Sequence, residues 1–161
     1  MTPSVDDITA ALHDLHRNYS YREHWAFFPE LRIGTGYGKG SEQRIDAFAL
    51  ALWPSKNWAS HAYEIKVNRA DFLKELRSPL KRRAALRYSN MFWFVTPEGL
   101  VKPEEIPVEA GLMEAHASPT GEGWYVKVVV SAPWRDIPPP TWNLFASVAR
   151  RVQRLEAGES P

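Results

Sequence analysis

Hydrophobic and polar positions along this chain alternate between two periods, and the switches between them mark out its elements. Val5, Ile8, Leu12 and Leu15 recur at helical spacing behind Ser4, which can cap, with Asp6 and Asp7 in the first turn. That pattern predicts a helix over Ser4–His16 with an apolar stripe. His13 and His16 are neighbours on it, and the reading preferred over a metal pair is two solvated histidines. His24–Ile33 is aromatic-rich and reads as a first strand, with Pro29 marking an edge or a bulge. Arg44–Trp53 is apolar on both faces beyond its start, the signature of a central, covered strand. His61–Val67 is a third strand in which Glu64 and Lys66 share one face, while Tyr63, Ile65 and Val67 point to the core on the other.

From Asn68, a plausible cap, the period turns helical, and Ser78-Pro79 supplies a second cap and first-turn proline, so the helix breaks or restarts there. Met91–Thr96 is an aromatic strand ended by Pro97-Glu-Gly99, and a strand–helix–strand crossover places it parallel to the third strand. Pro103–Pro107 is a loop or single turn. Leu112–His116 and Trp124–Ala132 are two later strands joined by a turn at Ser118–Gly123. After the rigid Pro138-Pro-Pro140, Thr141 caps a last amphipathic helix with Trp142, Phe145, Val148, Val152 and Leu155 on one stripe. Arg150, Arg151 and Arg154 lie toward its end, where the helix dipole accounts for cations. The elements predict an α/β (α+β) protein with a central mixed sheet flanked by helices. Residues 1–161 read as one domain, with a core over about 4–132 and the final helix over about 141–156.

Composition adds bounds. With 161 residues, seven Trp, seven Phe and six Tyr, the chain can bury a substantial core. The absence of cysteine excludes disulfides and thiolate metal sites and agrees with a reducing cytoplasm. No signal-like segment opens the sequence and no apolar run approaches a membrane span, so a cytoplasmic protein without a membrane partner is expected, and the Asn18-Tyr-Ser20 sequon carries no meaning. Net charge is +1, which by itself announces no nucleic-acid partner.

The local charge distribution changes that picture. Lys66, Arg69, Lys74, Arg77, Lys81, Arg82, Arg83 and Arg87 crowd one segment against Asp71 and Glu75. A solvated helix face is the plain explanation; phosphate contacts are the favoured one, because basic residues concentrated on one element are the footprint of nucleic-acid binding. Immediately upstream stand the candidate chemical groups. If the second and third strands pair through the intervening loop, Asp46 lies near Glu64, and two carboxylates beside the Lys66 ammonium form a hard-oxygen site suited to Mg²⁺. Lys66 would then orient or deprotonate a water on the ion, or stabilise charge developing on a phosphorane. Glu30 is a candidate extra acid, equally readable as an edge-strand surface charge, and Glu23 is a weaker one. The glycine-rich Gly34-Thr-Gly-Tyr-Gly-Lys-Gly40 lacks Walker spacing and is followed by a strand, so it reads as a flexible connection near the site, with Lys39 a candidate contact to substrate backbone.

An Asp on one strand followed by Glu-x-Lys on the next resembles the PD-(D/E)XK nuclease superfamily. The stretch Tyr63-Glu-Ile-Lys-Val-Asn-Arg-Ala-Asp-Phe-Leu73, then Ser78-Pro79 and Lys81, then Phe92-Trp-Phe-Val-Thr-Pro-Glu-Gly99 is similar to the MmcB-like DNA-repair branch, and Ile106-Pro107 through Ala110-Gly-Leu112 continues the likeness. The resemblance covers roughly Phe28 to Ala115 and implies a restriction-endonuclease-like core of order αβββαβ. It further implies Asp46 and Glu64 as Mg²⁺ ligands aided by the Ile65 carbonyl, with Mn²⁺ as a substitute ion and Lys66 as the catalytic lysine. Ile45 stands where the superfamily's name has proline.

The leading expectation is therefore Mg²⁺-dependent cleavage of DNA by Asp46, Glu64 and Lys66. A catalytically silent DNA-binding or repair scaffold on the same fold is the alternative, and an ion pair of Glu64 and Lys66 at a sheet end is the purely structural one. Trp53, Trp58 or Trp134 could serve a homodimer, although such aromatics are more often core.

Overall fold

A computed structural model describes residues 1–17, 24–34 and 43–159. Lys39 and most of the glycine-rich connection, Glu23 and the Asn18–Ser20 sequon lie outside the described residues. Among the described residues, one six-stranded sheet in the order β1-β2-β3-β4-β5-β6 has four α-helices around it. The strands are β1 (Trp25–Ile33), β2 (Gln43–Ala51), β3 (Ser60–Ile65), β4 (Met91–Pro97), β5 (Ala110–Ala117) and β6 (Trp124–Val130). The helices are α1 (Val5–His16), α2 (Arg69–Leu76), α3 (Arg83–Tyr88) and α4 (Trp142–Glu156).

β1, β2 and β3 pair antiparallel, β3–β4 and β4–β5 pair parallel, and β5–β6 is antiparallel again, so the sheet is mixed and the protein belongs to the α/β class. The parallel step from β3 to β4 follows from the helical crossover between them. Alternation along the strands produces two cores. Ile8 and Leu12 of α1 pack on Ala47, Ala49, Tyr63, Trp93 and Val95. On the opposite face Phe72 of α2, Ala85 of α3 and Leu144 of α4 pack with Phe48, Ala62, Phe92 and Phe94. Asp46 and Glu64 share parity with Phe48 and Ala62, which puts them on the three-helix face.

Local sequence explains the element ends. Ser4 accepts from the Asp7 N–H while the Asp7 carboxylate accepts from the Ser4 N–H, a reciprocal capping box. Asn68 caps α2 by accepting from the Ala70 N–H, and Thr141 caps α4 through the Leu144 N–H. Ser78 makes no such bond; the interruption before α3 is a 3₁₀ turn over Pro79–Arg82, so the expected second cap is supplied by backbone alone. Pro29 sits on β1, an edge strand, where its missing N–H costs no ladder bond.

Four expectations need correction. α1 does not bury a stripe ending in Val5 and Leu15, which are exposed; it buries Ile8, Ala11, Leu12 and His16. His16 is therefore not solvated: its Nε2 lies 2.6 Å from the Tyr63 hydroxyl, inside a cluster with Trp25 and His61. α4 turns its apolar stripe partly outward. Trp142 is 84% and Phe145 64% exposed, while Leu144, Ser147 and Arg151 are buried. Arg151 owes its place to a hydrogen bond from its Nε to the Pro29 carbonyl oxygen at 2.9 Å, which ties α4 to β1, and not to the helix dipole.

Candidate active site

The site forms where the antiparallel pair β2–β3 ends. Ala47 faces Tyr63 as the final pair of that ladder, and Asp46 and Glu64 are the next residues beyond it on the two strands. The Asp46 Oδ2 accepts the Ile65 N–H at 2.9 Å, which fixes the carboxylate against β3. On its other edge β3 joins β4, with the Lys66 N–H donating to the Val95 carbonyl. Strand alternation therefore sends the Ile65 N–H and carbonyl toward the Asp46 side. Lys66 folds back so that its Nζ lies 2.5 Å from Glu64 Oε1 and 3.6 Å from Glu75 Oε2.

Glu75 escaped sequence reasoning as a site residue. It belongs to α2, whose Phe72 is buried in the core, and the same packing buries Glu75 beside Lys66. It lies nine positions beyond Lys66 in sequence, and the turn into α2 brings them together. A charged position on the inward face of an otherwise amphipathic helix is the signal that could have found it.

The electrostatics follow from burial and crowding. Glu64 and Lys66 side chains keep only 16% and 15% of their exposure. Burial, then the Asp46 carboxylate and more weakly Glu75, push the Glu64 carboxyl up to about 7, against the pull of Lys66. For Lys66, burial acts to lower the pKa, but Glu64, Asp46 and Glu75 together outweigh it and raise it. The ammonium is thus held charged among three acids.

Glu30 is near but otherwise engaged. It lies between Pro29 and Leu31, which pair with Ala47 and Ile45, so it stands across from Asp46. Its backbone is left-handed at φ 51°, and Arg44 bridges the two acids, 3.3 Å from Glu30 and 3.7 Å from Asp46.

The basic segment divides in two. Arg69 forms a paired contact with Glu105 and donates to the Leu100 carbonyl. Arg82 is buried, donates to the Glu75 carbonyl, meets Glu109 at 3.3 Å and lies over the Phe94 ring. These two hold the fold around α2 and are spent internally. Lys74, Arg77, Lys81, Arg83 and Arg87 are exposed, and Arg87 rests on the Tyr88 ring.

As a donor set, two carboxylates and a backbone carbonyl fit Mg²⁺, which takes one or two protein carboxylates and keeps several waters. Among the described residues no group of three or more His, Asp or Glu side chains is placed to hold a metal ion. No described helix is long and apolar enough to cross a membrane.

No family model and no curated protein matches the chain. In structure it is similar to the SPO1766 protein of unknown function from Silicibacter pomeroyi, with a TM-score of 0.58 and 19% identity over 96% of this chain and 90% of that one. A likeness at that identity is one of fold alone.

Proposed function

We propose that this protein is a cytoplasmic, metal-dependent deoxyribonuclease of the PD-(D/E)XK type, in which Asp46 and Glu64 hold Mg²⁺ and Lys66 is the catalytic lysine. The observation that carries the reading is the set of Asp46, Glu64 and Lys66 at the end of one strand pair, where burial and the neighbouring acids raise Glu64 to about 7. Crowded carboxylates that resist ionisation are stabilised by a cation. When bound, the ion supplies Lewis-acid stabilisation of charge at the scissile phosphate. Asp46 is held in place by the Ile65 N–H. Lys66, kept protonated by its three acidic neighbours, donates to phosphate oxygens as negative charge builds and serves as an electrostatic stabiliser, not as a base. Exposed Lys74, Arg77, Lys81, Arg83 and Arg87 anchor the DNA backbone beside the site.

Cleavage of supercoiled plasmid and of labelled single-stranded and forked oligonucleotides tests this, with Mg²⁺, Mn²⁺ or EDTA. Asp46→Ala and Lys66→Ala should each lower the rate by about 10²-fold or more. Undiminished cleavage by Asp46→Ala would overturn the assignment of the site.

One observation favours a second reading, a catalytically silent DNA-binding or repair scaffold. Lys66 already neutralises Glu64 and Glu75 from within. That reading expects salt-sensitive DNA binding with no turnover under any divalent ion.

A further inference from the structure

The strand pair that carries the acids also floors a cavity. Asp46, Phe48 and Leu50 alternate onto one face of β2, and Glu64, Ala62 and Ser60 onto the same face of β3. Phe48, Leu50 and Ser60 line a cavity of about 490 Å³, within the size range of small-ligand sites. From Asp46 to Leu50 is four residues, or roughly 13 Å along the strand. The far wall is the Ile137–Pro140 segment with Leu144, Phe145 and Val148 of α4, and the near rim is Asn57 and Trp58.

Three features say what the cavity takes. Its polar groups are largely occupied: the Ser60 hydroxyl donates to the Tyr88 carbonyl, and Asn90 is tied to the Ser60 N–H and the Arg135 carbonyl. The walls therefore offer flat apolar surface more than hydrogen-bond readout. Trp58, 57% exposed, is held at the rim by two consecutive left-handed residues, φ 53° at Asn57 and 52° at Trp58. Bulky L residues rarely adopt that conformation, and it concentrates at binding sites. Finally, α3 runs from the start of β2, the strand that carries Asp46, to the cavity. The Ala84 N–H is bonded to the Gln43 side chain at the start of β2, while Tyr88 lines the cavity beside Ser60. Its exposed Arg83 and Arg87 also line a shallow hollow on the other side of Ile137 and Pro138.

We infer that the cavity receives an unpaired nucleobase, stacked against Trp58 and Phe145, while Arg83 and Arg87 hold the adjoining phosphates; the preferred substrate is single-stranded or locally unpaired DNA. This rests on the reading of the chain as a DNA-binding nuclease and names its substrate class. Stacking on aromatic side chains beside a basic track is how single strands are held without regard to sequence. A base inside a duplex could not reach the cavity without leaving its stack.

Fluorescence anisotropy in EDTA, which separates binding from cleavage, tests it with a labelled mixed-sequence single strand and the matching duplex. Trp58→Ala and Phe145→Ala should each weaken single-strand binding about fivefold or more, the lower end of what one lost stack costs. Duplex binding should not move, and Trp58→Phe should restore most of the loss. Arg83→Gln with Arg87→Gln should weaken both ligands. If the aromatic variants bind the single strand as wild type while the arginine variants do not, the DNA reading survives and the cavity assignment falls. If the wild type binds neither ligand, both fall. If Phe145→Ala converts a dimer to a monomer with single-strand affinity unchanged, the surface is a contact between copies of this chain and the inference is overturned.

Discussion

At the scale of single residues, buried titratable groups on opposite faces of the sheet pull stability in opposite directions with pH. Glu64 has its carboxyl raised from 4.5 to about 7 in the fold, so between those values the folded state binds more protons than the unfolded one. Its contribution is therefore lost as pH rises through that window, by on the order of 3 kcal/mol at most. Glu64→Gln should remove that dependence: in urea unfolding, the stability of the variant relative to wild type should rise between pH 4.5 and about 7, and a constant difference would contradict the Glu64 assignment. His16 and His61 behave inversely. Burial lowers them to about 3 and about 4, with His61 and His13 adding to the effect on His16. The unfolded chain takes up these protons near 6.5, so stability falls as pH drops below 6.5 and the loss levels off below the folded values. Tyr63→Phe removes the hydroxyl that His16 Nε2 faces at 2.6 Å and leaves a buried nitrogen unpaired. It should cost about 1–3 kcal/mol in chemical denaturation with the Asp46, Glu64 and Lys66 set untouched.

At the scale of elements, β4 and β5 approach too closely at Gly111 for a side chain. A Cβ at Gly111 would stand 2.5 Å from Trp93 Cε3 and 2.6 Å from the Ala132 backbone nitrogen. Gly111→Ala should therefore destabilise by about 1–3 kcal/mol, measured by thermal or urea unfolding, because neither a packed indole nor a backbone atom yields cheaply. The strands that hold the site were legible in the sequence. β2 reads as covered on both faces, Glu64 and Lys66 stand out on an apolar run, and the Asn68 cap announces the crossover that makes β4 parallel to β3. What was not legible depends on contacts distant in sequence. Periodicity groups Trp142, Phe145, Val148, Val152 and Leu155 on one side of α4, but the sheet takes the neighbouring side of Leu144, Ser147 and Arg151, where the Pro29 carbonyl offers Arg151 a partner across the chain. His16 reads as solvated until Tyr63, brought over by β3, covers it. Arg82 reads as a phosphate contact and Glu75 as one of two acids in a basic segment, whereas the packing of α2 commits Glu75 to Lys66 and Arg82 to the Glu75 carbonyl and Glu109.

At the scale of the whole molecule, a net charge of +1 conceals an uneven distribution. Arg69 and Arg82 are neutralised by Glu105 and Glu109, while Lys74, Arg77, Lys81, Arg83 and Arg87 stay exposed along the α2–α3 side of the site. Affinity for a single strand should fall with salt at a slope of about −0.7 per phosphate contact, so neutralising Arg83 and Arg87 should flatten it by about 1.4. Arg69→Ala should lower thermal stability and leave the salt slope alone. A slope unchanged by the Arg83 and Arg87 variants would move the DNA track to another surface.

The most direct test of the site is calorimetric titration of Mg²⁺ and Mn²⁺ into the DNA-free protein near neutral pH, beside Asp46→Asn and Lys66→Met. The expected result is saturable binding that Asp46→Asn abolishes and Lys66→Met preserves or tightens, since removing the ammonium leaves Glu64 in greater need of a cation. An isotherm identical in wild type and Asp46→Asn, or no binding in either, would contradict a divalent-cation site at Asp46 and Glu64.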